Sequence, residues 1–141
     1  MNQSDPYNLQ RFVDAQAPVY EQVLRELRAG RKTSHWMWFV FPQIAGLGHS
    51  PMAQEFAISG RAEAQSYLQH SVLGPRLAEC TGLVNQHGER SIEDILGYID
   101  GLKFRSSMTL FAKVAEDNRL FMEALTKFYA GEFDEQTLTR L

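Results

Sequence analysis

Apolar residues recur at spacings of three and four along most of this chain, the period of helices that bury one face. Leu9, Phe12 and Val13 form the first stripe, and Asp5-Pro6 before it reads as an N-cap with proline at the first helical position. Val19, Val23, Leu24 and Leu27 form the second, opened by Pro18, with Gly30 where a left-handed cap is predicted. Glu21 and Glu26 against Arg25 and Arg28 read as its solvated face. Residues 52–58 suit a short helix or an extended piece, and Arg61 to Leu68 is a strong helix former. Leu73, Leu77, Cys80 and Val84 predict an amphipathic helix with Pro75 in its first turn and Gly88 at its end. Ser91-Ile-Glu-Asp94 has the form of a capping box, opening one or two turns that end at Gly97. From Asp100 to about Ala115, Phe104, Met108 and Phe111 share one face while Leu110 and Val114 occupy the next. Apolar residues therefore cover more than half the circumference, as in a central helix. Leu120, Phe121, Ala124, Leu125 and Phe128 give another helix, and Asp134 caps a last short one.

One stretch departs from this rhythm. Ser34-His-Trp-Met-Trp-Phe-Val-Phe-Pro-Gln43 holds both tryptophans and two of the nine phenylalanines. Exposed, such a run would aggregate, so most of it must be buried or line a pocket. Only Trp38 to Phe41 is β-prone enough to suggest a strand, and Pro42 disfavours helix in the residue before it. The glycine-rich residues Ile44 to Pro51 read as an ordered loop. The expected fold is mainly α: a compact single-domain multi-helix bundle over residues 1–141, with at most a minor extended element.

Composition narrows the functions. Of 141 residues, 44% are hydrophobic and 22% charged, as in ordinary soluble domains. A net charge of -3 argues against a nucleic-acid partner held by a basic surface. The single cysteine, Cys80, suits a reducing compartment, and the first residues carry no signal-peptide pattern. The longest apolar run, Trp36 to Phe41, is too short to span a bilayer. A cytoplasmic protein with no membrane partner is expected. Nothing in these patterns sets an oligomeric state.

Two constellations could carry chemistry. In the first, Arg31, Lys32 and His35 precede Trp36 and Trp38, with Gln43 beyond. Cations beside indole rings suit a flat anionic ligand, and histidine titrates near neutrality. The bland alternative makes the tryptophans core anchors and Lys32 a surface charge. In the second, Lys103, Arg105, Ser106, Ser107 and Thr109 follow Asp100 at a helix start. Cations there oppose the helix dipole and want an anionic partner, either Asp100 or a ligand. Asp14, Glu21 and Glu79 are candidate general bases. Cys80, in mid-stripe, reads as a small buried hydrophobe. His35, His49, His70 and His87 lack metal-ligand spacing, so no metal and no cofactor is expected.

The segments Gly30 to Gln43, Gly46-Leu-Gly48, Tyr67 to Leu77 and Leu102 to Phe111 closely resemble an uncharacterised family, catalogued as domain of unknown function number 1810. The resemblance runs from Asp5 to Leu141. It implies a small, mostly helical, bacterial-type domain, with no established activity and no established catalytic residues. The order of a Lys/Arg-bearing helix and then Phe121 to Leu138 also resembles, more loosely, NADAR domains, which act on N-glycosidically attached ADP-ribose. The tryptophan-glycine motif of those domains is missing, and likeness at this level does not assign function.

The leading expectation is a polar-aromatic pocket for a small anionic, nucleotide- or ADP-ribose-like ligand. Lys32, Trp36, Trp38 and Gln43 would line one side and Lys103, Arg105 and Ser106 the other. If the protein hydrolyses that ligand, His35 is the candidate catalytic acid/base. The competing expectation is a protein-interaction module without catalysis, using the tryptophan segment as its hot spot.

Overall fold

The computed structural model describes residues 4–141. Among them ten helices follow in order: α1 (Gln10–Gln16), α2 (Tyr20–Ala29), α3 (Met37–Val40), α4 (Pro51–Glu55), α5 (Arg61–Gln69), α6 (Leu73–Asn85), α7 (Ile92–Leu96), α8 (Tyr98–Val114), α9 (Arg119–Tyr129) and α10 (Glu135–Thr139). The one extended pairing among these residues is a single parallel bridge between Ile44 and Ile58. The protein is thus mainly α with a minor extended element.

Local chemistry explains most boundaries. Gly30 takes φ 73°, and its N–H and that of Arg31 turn back to the last carbonyls of α2, closing it with a left-handed cap. Ser50, Ser91 and Asp134 cap α4, α7 and α10 by accepting the N–H of Ala53, Asp94 and Thr137. Other boundaries differ from the pattern. The Asp5 carboxylate does accept N–H groups, but those of Leu9 at 2.7 Å and Gln10 at 3.0 Å, so α1 begins after an intervening turn. Those bonds outweigh the effect of burial and lower its pKa. Pro18 lies in the turn before α2, which begins at Tyr20, and α6 ends at Asn85, ahead of Gly88. Trp38 to Phe41 is not extended. Val40 and Phe41 donate to the carbonyls of Trp36 and Met37, and α3 is one helical turn. That turn buries Met37, Phe39 and Val40 together, overriding their β propensity.

α8 is the central element. Gly101, Phe104 and Ser106 to Ala112 are all buried, and α5, α7, α9 and α10 pack against it. Two series of touching rings run through the core. One passes Phe39, Phe56, Phe12, Tyr67, Phe111 and Phe121, with centroids 5.1–5.9 Å apart. The other passes Trp36, Phe41, Phe104 and Phe128, with Phe41 edge-on to Phe104 at 4.8 Å. Each such pair adds about 0.5–1.5 kcal/mol beyond its buried area. The second series joins the tryptophan segment to α8 and so fixes the surroundings of the candidate site.

Candidate functional site

The tryptophan segment is anchored by a residue that helical patterning misplaces. Glu26 is buried, not solvated. Its carboxylate accepts the N–H groups of Thr33 (2.8 Å) and Ser34 (3.1 Å), the Ser34 hydroxyl, Gln22 Nε2 (2.8 Å) and Trp36 Nε1 (3.0 Å). Burial would raise this carboxyl. The bonds from Ser34, Thr33, Gln22 and Trp36 overcome that effect and hold it at about 2. Glu26 falls beside the Val23–Leu24–Leu27 stripe, within reach of the donors that follow Gly30. That coincidence is the only signal the sequence offered.

Trp36 is correspondingly a core anchor, 1% exposed, and no ligand reaches its indole. Lys32 is also committed: its ammonium lies 2.8 Å from Asp100 and 5.0 Å from the centre of the Trp36 ring. Lys103 is 3.8 Å from the same aspartate and 5.5 Å from the Trp38 ring centre. Asp100 therefore joins the two constellations, but its close ion pair goes to Lys32, leaving Lys103 loosely held.

Beyond Lys103 a cleft of about 560 Å³ opens between the glycine loop, α8 and α10. The loop contributes Gln43, Gly46 and His49, and α8 contributes Ile99, Leu102, Lys103 and Ser106. Asp134, Gln136 and Arg140 close the third side. The α10 wall is tied to α8 through Asp134. Its N–H donates to Thr109 Oγ1 (2.9 Å), and its Oδ2 accepts the hydroxyls of Ser106 (2.9 Å) and Thr137 (2.6 Å). Asp134 is thus occupied by neutral donors. Arg140 touches only neutral acceptors, Gln136 O and Oε1 and Thr139 Oγ1, and forms no ion pair among the described residues. Its side chain rests on Gly46, where φ is 99° and an added Cβ would stand 2.8 Å from Arg140 Nε. The cleft thus holds two cations without a close carboxylate partner.

The expected site residues separate accordingly. Gln43, Lys103 and Ser106 line the cleft, and half-buried Trp38 lines a small adjoining hollow that shares Gln43 and Gly46 with it. Lys32, His35, Trp36 and Arg105 lie outside. His35 is exposed, and the imidazole lining the cleft is that of His49. Arg105 donates to the carbonyls of Glu132 (3.1 Å) and Phe133 (2.9 Å) and so secures the turn before α10. Arg140, His49 and Ile99 are not marked by any sequence motif, because they come together only in space, from positions 49, 99 and 140 of the chain.

Other chemistry is sparse. Burial, partly offset by the contact with Tyr20 Oη at 3.7 Å, pushes the Cys80 thiol up to about 12, too high for a thiolate nucleophile at neutral pH. No group of three metal-binding side chains converges among the described residues, and none of their helices is long and apolar enough to cross a membrane. A second groove, about 490 Å³, lies between α5, α6 and the α8–α9 link. Its only charged lining groups are Glu116 and Asp117.

The fold defines the class: a small, mainly helical protein built around one central helix. Within it, the chain belongs to the family described as Protein of unknown function (DUF1810), whose model matches residues 6–141. The resemblance carried by the tryptophan and Leu102–Phe111 motifs therefore holds. The chain is also similar, at 60% identity and a TM-score of 0.96, to the crystal structure of the conserved hypothetical protein Rv1873 from Mycobacterium tuberculosis. That alignment covers 97% of this chain and 98% of the other. No curated protein matches.

Proposed function

We propose that this is a cytoplasmic binding protein for a small anionic ligand, held in the cleft between the glycine loop, α8 and α10. The observation that carries the reading is the pairing of Lys103 and Arg140 across one recess, neither held by a close carboxylate. Cations focused in a concave, partly apolar recess attract anions more strongly than the same charges on open surface. Gln43 and His49 add hydrogen-bonding groups beside them, while the Ser106 hydroxyl proton goes to Asp134. No reaction is assigned, since His35 stands outside the recess. The alternative, a protein hot spot on the tryptophan segment, has less support because Trp36 is buried and Trp38 half-buried.

The test is thermal-shift and calorimetric titration with pyrophosphate, AMP and ADP-ribose. A ligand at 100 times its Kd stabilises the protein by about 2.7 kcal/mol. Replacing both cations (Lys103→Ala with Arg140→Ala) should weaken binding by at least about 100-fold, since each charge-assisted contact contributes about 1.5–3 kcal/mol. The reading fails if none of these anions stabilises the protein, or if the double variant binds as well as the wild type.

A further inference from the structure

Among the described residues the large hydrophobic side chains left exposed are Tyr98 (64%), Ile99 (60%) and Leu102 (49%). They are not scattered. All three lie in the first turns of α8, where residues three and four apart are surface neighbours. Tyr98 and Leu102 are four apart, and Ile99 and Leu102 three. Ile99 and Leu102 belong to the wall of the cation-bearing cleft. Ile99, Leu102, Lys103 and Ser106 are therefore one stripe of a single helix, apolar at its N-terminal end and polar further along. The helical rise separates Ile99 from Lys103 by about 6 Å along the axis.

Isolated exposed apolar residues call for no explanation, but a contiguous group bordering a pocket marks a place that something covers. Resting on the anion-binding reading above, we infer that this shelf is a second subsite for the same ligand and that it takes a planar aromatic group. The ligand class is then a phosphate ester bearing a flat ring system, as in a nucleotide. Its anionic end would sit between Lys103 and Arg140, and its ring would lie over Ile99 and Leu102 beside the Tyr98 phenol. Continuity with the cleft selects a small ligand over a separate macromolecular partner. Two branched aliphatic side chains side by side offer a flat apolar floor, and the exposed tyrosine offers an aromatic face for stacking.

The experiment compares AMP, ribose 5-phosphate and octyl phosphate by calorimetry, with Ile99→Ser, Leu102→Ser and Tyr98→Ser variants. These positions are exposed, so each variant should retain the wild-type melting temperature. AMP should bind about tenfold or more tightly than ribose 5-phosphate, because the ring alone gains the apolar contact. Ile99→Ser and Leu102→Ser should erase that difference, and Tyr98→Ser, outside the cleft lining, should narrow it while leaving ribose 5-phosphate binding within about twofold. Equal affinity for AMP and ribose 5-phosphate overturns the subsite but leaves the anion cleft standing. Tighter binding of octyl phosphate than AMP overturns the planar class. If no phosphate binds at all, both readings fall. Sedimentation supplies a further check: a dimer that Leu102→Ser dissociates would show the shelf to be covered by a second copy.

Discussion

Two polar clusters meet the same tryptophan segment, and they differ in how completely they are satisfied. Around Glu26 the carboxylate sits buried and accepts five hydrogen bonds. Around Lys103 and Arg140 the charges have loose or neutral partners and face a recess. A fully paired polar group holds structure in place. An under-paired one beside a cavity retains capacity for a guest. Residue types alone do not separate the two, since each cluster mixes charges, amides and hydroxyls.

The contrast breaks most visibly at Glu26. Glu26→Ala orphans the N–H groups of Thr33, Ser34 and Trp36, and should cost about 3–5 kcal/mol in urea unfolding. Loss below about 1 kcal/mol would show the latch to be incidental. Acid sharpens the same point. The folded carboxyl is lowered from about 4.5 to about 2, so its stabilisation is complete above pH 4.5 and disappears as pH falls towards 2. The amount lost should be about 3 kcal/mol, absent in Glu26→Gln. On the cleft side, removing Lys103 and Arg140 together should leave stability nearly unchanged while anion affinity falls by at least about 100-fold.

Smaller effects refine the boundary between the clusters. Arg105→Ala should destabilise by about 1–2 kcal/mol, because it unpairs two carbonyls before α10, whereas His35→Ala should stay within about 0.5 kcal/mol. Denaturation curves of the two single variants, measured side by side, decide this. Gly46→Ala should cost about 1–2 kcal/mol from its positive φ and also push Arg140 off its seat. Its anion affinity should fall alongside that of Arg140→Ala, with no charge removed. Unaltered affinity would mean that Arg140 does not need the glycine.

Much of the fold was legible because helices announce themselves locally. Gly30, Ser91 and Asp134 act within a turn of where they stand, and the α8 stripe is wide enough to identify the central helix. Where local preference competed with packing, packing won. The β-prone run after Trp36 became a helical turn because that geometry lets Phe39 and Phe41 join different ring series. The cleft was half legible. Gln43, Lys103 and Ser106 lie in conspicuous motifs, but Arg140 belongs to an unremarkable C-terminal sequence. Its role depends on Asp134 tethering α10 to α8 and on Gly46 making room. Burial of Trp36 was one of the two readings the aromatic run allowed, and what decides it is Glu26 facing inward to accept the indole N–H.

The bridge between Ile44 and Ile58 has an engineering consequence. Ala45 donates to Ile58 O and Ile58 to Gln43 O, each at 2.8 Å, so the intervening segment is knotted at its root. The stretch from Gly46 to Glu55 is an outboard cassette carrying one rim of the recess, while Phe56 behind it stays in the ring-packed core. Exchanging it between homologous chains should retune what the recess accepts while the ring-packed interior keeps its shape.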